Sequence, residues 1–119
     1  LTQQEQSGWT YKLTQARDVH GQLETLILIA VHKSIGDELQ SKGRSVGIYA
    51  SHYMWLQILG AVDRCNLFTS LPLWYAHYDN KMDFSDWIAN KFGGWTEPTM
   101  KQFTGNSQVC GFGVDLSYY

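Results

Sequence analysis

Val46-Gly47-Ile48-Tyr49-Ala50-Ser51-His52-Tyr53-Met54-Trp55-Leu56-Gln57-Ile58-Leu59-Gly60 is the stretch from which the architecture is read. Five residues that alternate or run apolar, Val46 to Ala50, suit a buried strand. Ser51 then has the side chain of an N-cap, its oxygen free to accept from the first turn, and Gly60 closes a short helix over His52 to Leu59. Upstream, Leu28, Val31, Ile35 and Leu39 fall at i, i+3, i+7 and i+11, one face of a helix that ends near Lys42 with Gly43 as its cap. Gly36 weakens that helix without cancelling it. Earlier still, Leu13 and Val19 mark a strand that reaches Asp18, and Leu1 to Ser7 is a polar, Gln-rich surface segment.

Downstream, Leu71-Pro72-Leu73-Trp74-Tyr75-Ala76-His77 reads as a second strand, the proline being tolerated near its start. Asp79-Asn80 and Gly93-Gly94 mark turns. Two further short strands are expected over Met100 to Phe103 and Phe112 to Leu116, with Gly105-Asn106 and Gly111 punctuating between them. The order is helix, strand, helix, strand, then strands with few helices. This predicts an α/β fold, an irregular TIM-like barrel whose later strands lose their helices, rather than a doubly wound sheet.

Bulk properties narrow the function. The chain has 119 residues, 44% of them apolar, enough for one domain with a real core. A formal charge of -2 leaves no basic footprint for nucleic acid. The longest apolar run, Leu26 to Val31, is far short of the roughly 20 residues that span a bilayer, so no membrane insertion is expected. Histidines at 20, 32, 52 and 77 are scattered, and neither cysteine sits in a CxxC pair, so no metal site is expected. Cys65 and Cys110 are either free thiols or one disulfide, and spacing does not decide between them. Five Trp, seven Tyr and five Phe are unusual in so short a chain. Flat aromatic faces suit the CH faces of sugar rings, although most such residues in any domain belong to the core.

Working groups of a parallel barrel gather where its strands end. Here the strand ends bring Asp18 and His20, Tyr49 and Ser51, His77 and Asp79, Phe103, and Asp115 toward one mouth. Glycoside hydrolysis needs a proton donor and an anionic partner across the scissile bond, and the carboxylates for it are present. Each of them, taken singly, equally suits an N-cap, a turn or a solvated surface.

Five motifs in order resemble those of one family. They are Gly47-Ile48-Tyr49 followed by an aromatic-rich helix with Trp55; Leu73-Trp74-Tyr75-Ala76-His77-Tyr78-Asp79; Gly94-Trp95; Lys101-Gln102-Phe103-Thr104; and Gly113-Val114-Asp115-Leu116. Together they resemble the C-terminal half of a glycoside hydrolase family 25 lysozyme of the eukaryotic, secreted branch. The resemblance implies an irregular eight-stranded barrel that cleaves the β-1,4 bond between N-acetylmuramic acid and N-acetylglucosamine in bacterial peptidoglycan. It also implies no cofactor, and a secreted or lysosomal and phagosomal location.

By the same resemblance Tyr49, Trp74, Ala76, Tyr78 and Gln102 are substrate-binding positions, and Asp115 is an acidic residue of the catalytic cleft. The family's catalytic Asp-x-Glu pair matches Asp18-Val19-His20, so Asp18 fits and His20 stands in place of the glutamate. An imidazolium has the wrong sign beside a developing oxocarbenium ion, which favours an alternative reading as an inactive glycan-binding relative. Glu24, close by, suits a helix-start role. The barrel's opening strands have no counterpart in the chain, which is therefore expected to be one lysozyme-like domain, residues 1–119, lacking its N-terminal strands.

Overall fold

The computed structural model describes residues 22–119. They fall into two compact units that divide after Glu38. The first described element is α1 (Gln22–Ser41). Its end is a left-handed cap: Gly43 takes φ +73°, its amide donates to the Gln40 carbonyl at 2.9 Å, and the Arg44 amide donates to Leu39 at 3.0 Å. That pair of bonds satisfies carbonyls the helix leaves open, as the sequence anticipates for Gly43. A Lys33–Asp37 ion pair at 2.5 Å adds an i,i+4 contact. The apolar stripe is not buried, however: Leu28, Val31, Ile35 and Leu39 are 42, 48, 54 and 41% exposed. The stripe fixed the helical period correctly, while burial, which depends on what packs against it, did not follow.

Residues 39–119 form the second unit, built on one sheet. Its strands are β1 (Ile48–Ala50), β2 (Leu73–Ala76), β3 (Met100–Val109) and β4 (Phe112–Tyr118), in that spatial order. The first three run parallel and β4 returns antiparallel. Between β1 and β2 lies α2 (His52–Leu59), with the Met54 amide donating to Ser51 Oγ at 3.0 Å and Gly60 at φ +78°. Both caps stand where the sequence puts them. A one-turn helix, α3 (Trp87–Asn90), precedes β3.

The expected end of β3 needs correction. β3 runs through Gly105-Asn106 to Val109, whereas these two residues read as a break. They form an irregularity inside the strand: the register with β4 shifts between Gln102 and Ser107, and Asn106 sits at φ +60°. A bulge uses the same residues as a turn but bends the ladder without ending it. The hairpin turn is Cys110-Gly111, both at positive φ, as a two-residue loop between right-twisting strands requires. Cys65 and Cys110 are both free cysteines, so no bridge joins them.

The core lies on one face of the sheet. Side chains alternate along a strand, so Leu73, Tyr75, Lys101 and Phe103 share the back face. Against them pack Trp55 and Leu59 of α2, Phe68, Trp87 of α3, Phe92 and Trp95, all buried. Phe92 is the centre of this aromatic group, with ring centroids 5.3 Å from Trp55, 5.4 Å from Trp87, 6.0 Å from Trp95 and 6.2 Å from Tyr75. Each buried indole N–H has a carbonyl partner: Trp55 donates to Arg64, Trp87 to Thr96 and Trp95 to Leu71, at 3.0, 2.9 and 2.9 Å. These bonds tie three loops to the core, since a buried N–H without an acceptor is costly. Gly93, at φ +63°, passes so close to the Trp95 and Trp55 rings that an added Cβ would overlap both.

Candidate functional site

The opposite, front face carries the residues that alternation leaves over: Tyr49 on β1, Trp74, Ala76 and Tyr78 along β2 and just beyond it, Gln102 on β3, Asp115 and Ser117 on β4. Gln102 is the junction. It is 4% exposed, and its side chain both accepts and donates. The Tyr49 hydroxyl donates to its Oε1 at 2.5 Å and the Tyr78 hydroxyl donates to the same oxygen at 3.1 Å. Its Nε2 donates to Asp115 Oδ2 at 2.7 Å. Only this amide orientation works, because the reverse would set the carbonyl oxygen against a carboxylate.

Backbone geometry explains how the four meet. Ala76 is the β2 residue in register with Gln102. Tyr49, in register with Trp74 on β2, reaches across that strand to Gln102 on β3. Tyr78 lies against Gly105, where a Cβ would come within 3.3 Å of its ring and 3.5 Å of Asp115 Oδ1. Asp115 also accepts from the Asn106 amide at 3.1 Å, so the bulge in β3 supplies the second anchor of this carboxylate. In the sequence Asp115 reads as a strand end. It lies instead mid-strand in β4, and it reaches the site because that strand runs antiparallel.

Trp74 extends the face. Its ring meets Tyr49 edge-on at 4.9 Å between centroids, and its Nε1 donates to Ser117 Oγ at 3.1 Å. Trp74, Tyr49 and Tyr78 are 39, 43 and 57% exposed, in contrast to the buried aromatics behind them. Burial, with the neighbouring Tyr78 and the Asp115 charge, pushes the Tyr49 hydroxyl up to about 12, so it stays protonated and donating. The five substrate-binding candidates and Asp115 are thus brought together. Asp18 and His20 lie outside the described residues, as does the side chain of Glu24.

His77 and Asp79, which read from sequence as strand ends at the mouth, belong instead to a charged cluster with Lys101 and Asp86 on the back face. Lys101, with no exposure at all, donates from Nζ to Asp79 Oδ2 at 2.8 Å, Asp86 Oδ1 at 2.7 Å and the Asp83 carbonyl at 3.1 Å. Three acceptors satisfy all three ammonium protons. Asp86 accepts in addition from the Tyr75 hydroxyl at 2.8 Å and from His77 Nδ1 at 2.5 Å. Burial alone would raise the Asp86 carboxyl, but the bonds from Lys101, Tyr75 and His77 outweigh it and hold the group down at about 2. Desolvation likewise opposes the charge on Lys101, and its two carboxylates more than offset that, raising its pKa. Burial first, then Asp86, pushes the Tyr75 hydroxyl upward.

His77, Asp79 and Asp86 present ligand atoms within 4.8 Å of one another, a donor set that could suit a cation. The Lys101 ammonium occupies the space between the two carboxylates and supplies the positive charge they need. The signal available in the sequence was parity: Lys101 shares its face with Phe103 and so points inward, which for a lysine demands partners.

Four of the five ordered motifs therefore send residues to one face, while Gly94-Trp95 packs behind the sheet, and the family model described as lysozyme-like protein 1 matches residues 22–103. The chain belongs to this family of lysozyme-like proteins. It is 46% identical over 80 residues to "Counting factor 50" of Dictyostelium discoideum, which covers 67% of this chain and 25% of that protein. It is 37% identical over 91 residues to "Probable GH family 25 lysozyme 2" of the same organism, covering 76% and 41%. A third relative, "Lysozyme-like protein 5" of Caenorhabditis elegans, is 38% identical over 82 residues, covering 68% and 36%. The resemblance to glycoside hydrolase family 25 lysozymes is thus shown, and the lysozyme-like chain spans less than half the length of each of these relatives. No solved structure matches it. No helix among the described residues is long and apolar enough to cross a membrane.

Proposed function

We propose that this lysozyme-like protein acts on bacterial peptidoglycan as a muramidase, hydrolysing β-1,4 glycosidic bonds. The observation that carries this reading is the Gln102 junction, which joins Tyr49, Tyr78 and Asp115 beside the exposed Trp74 ring. An aromatic platform next to a hydrogen-bonded carboxylate suits a sugar ring, with CH groups stacking on Trp74 and hydroxyls meeting the polar groups. The three parallel strands are consistent with part of an irregular (β/α) barrel, with this face turned toward its mouth. By the resemblance, Asp18 and His20 stand at the sequence positions of the family's catalytic pair. A secreted or lysosomal and phagosomal location fits a peptidoglycan substrate.

A second reading is favoured by one residue. His20 stands where the family's proton-donating glutamate belongs, and a relative named "Counting factor 50" bears no lysozyme name. On this reading the front face grips glycan without cutting it.

Intact mass of the purified protein, together with its rate of clearing a bacterial cell-wall suspension, tests both. Clearing by a protein well above 13.6 kDa, with the rate reduced in Asp115→Asn, supports the muramidase. Peptidoglycan binding without clearing supports the second reading. Unchanged activity and affinity in Asp115→Asn removes Asp115 from the site.

A further inference from the structure

The back-face cluster lies directly behind the front-face junction, and the two share backbone. Lys101 precedes Gln102 in β3, and Asp79 follows Tyr78 at the end of β2. Tyr78 is therefore held from both sides of the sheet. In front, its hydroxyl donates to Gln102 and its ring lies against Gly105. Behind, the next residue is fastened by the Lys101 ammonium at 2.8 Å, with the side chain of Asp79 only 17% exposed. The turn between is shaped by the Lys81 amide donating to Asp79 Oδ1 at 3.0 Å and by the Asn80 amide donating to the Phe103 carbonyl at 3.0 Å. Asp86 shares the same ammonium at 2.7 Å but belongs to the segment leading into α3, and its other bonds go to Tyr75 and His77.

We infer that Asp79, tied to the buried Lys101 ammonium, is a positioning residue for Tyr78, so that an ion pair behind the sheet sets the shape of its glycan-facing side. This rests on the proposed reading of the front face as a glycan site. Asp79 and Asp86 make equivalent contacts with Lys101, yet only Asp79 adjoins a front-face residue. A role in stability alone makes the loss of Asp86, which also binds Tyr75 and His77, at least as costly to affinity as the loss of Asp79, whereas a positioning role reverses that order.

The test compares Asp79→Ser with Asp86→Ser in the full chain. Serine at 79 keeps an oxygen for the Lys81 amide, and with it the turn, but is too short to reach Lys101. Asp79→Asn, which retains the length and an acceptor, serves as the rescue. Two readouts are taken: affinity in sedimentation with insoluble peptidoglycan, and the fluorine resonance of Tyr78 in fluorotyrosine-labelled protein, assigned with Tyr78→Phe. Both serine variants are expected to lower the melting temperature. Asp79→Ser should also lower affinity about tenfold and shift or split the Tyr78 resonance, each largely restored in Asp79→Asn, while Asp86→Ser stays within about twofold of wild type. An unmoved Tyr78 resonance in Asp79→Ser, or equal affinity losses in the two serine variants, overturns the inference. Wild-type protein that fails to sediment with peptidoglycan overturns the glycan reading instead, and the resonance then still decides whether Asp79 positions Tyr78.

Discussion

The two faces of this sheet are made from the same strands and nearly the same residue types, yet they have been put to opposite uses. Behind, aromatic rings are buried and every indole N–H is spent on a loop carbonyl, so each ring is a fixture that also fastens a loop. In front, Trp74, Tyr49 and Tyr78 stay open to solvent and bond to one another's neighbours on adjacent strands. The difference is one of partner rather than of residue. An aromatic whose polar atom answers a backbone group stabilises the fold. An aromatic whose polar atom answers another side chain on an open face is available for a ligand.

Substitution of matched residues sharpens the contrast. Trp87→Ala should produce the largest effect, a loss of about 3–5 kcal/mol in urea unfolding, because it empties a core position and strands the Thr96 carbonyl. Equal stability losses in Trp87→Ala and Trp74→Ala would break the comparison. Next is the charged cluster behind the sheet. Asp86, held at about 2 against an ordinary 3.8, contributes stability above about pH 4 that is lost as pH falls toward 2. The shift corresponds to about 2 kcal/mol. In Asp86→Asn that contribution should already be absent at neutral pH, and the melting temperature should then fall less between pH 4 and pH 2; an unchanged acid profile argues against the network.

Trp74→Ala should change stability by less than about 1 kcal/mol but weaken glycan binding roughly tenfold in a sedimentation assay. Smallest is Gly105→Ala. Its methyl would press on the Tyr78 ring, displacing it by a few tenths of an ångström, while only touching Asp115. Affinity should drop a few-fold, with unfolding unchanged within about 0.5 kcal/mol. An affinity equal to wild type would mean that the front face tolerates that displacement.

The same contrast explains what could be foreseen from sequence. Ser51, Gly60 and Gly43 were legible because capping is decided within a few residues. So were the front-face residues, carried by motif order. The bulge at Gly105-Asn106 reads in sequence as a turn, since residues that tolerate positive φ announce a change of direction without saying whether the ladder resumes. The charged cluster behind the sheet is not legible in this way, because a lysine is normally solvated and its partners lie far along the chain: Asp79 reads as a group at the mouth, yet its side chain turns back to Lys101. Burial of the α1 stripe could not be inferred at all: periodicity states which residues share a face, and says nothing of what covers it.

One feature of the Gln102 junction bears on the chemistry of any guest. Tyr49 and Tyr78 point their hydroxyl protons inward at Gln102, and Trp74 gives its N–H to Ser117. What these tyrosines and Asp115 turn outward is lone pairs. The surface is therefore a listener in hydrogen-bonding terms: it receives protons and offers few. A molecule settling there forms its strongest bonds where it brings O–H or N–H groups of its own, and a ligand stripped of donors but rich in ether and carbonyl oxygens would find almost nothing there to answer it.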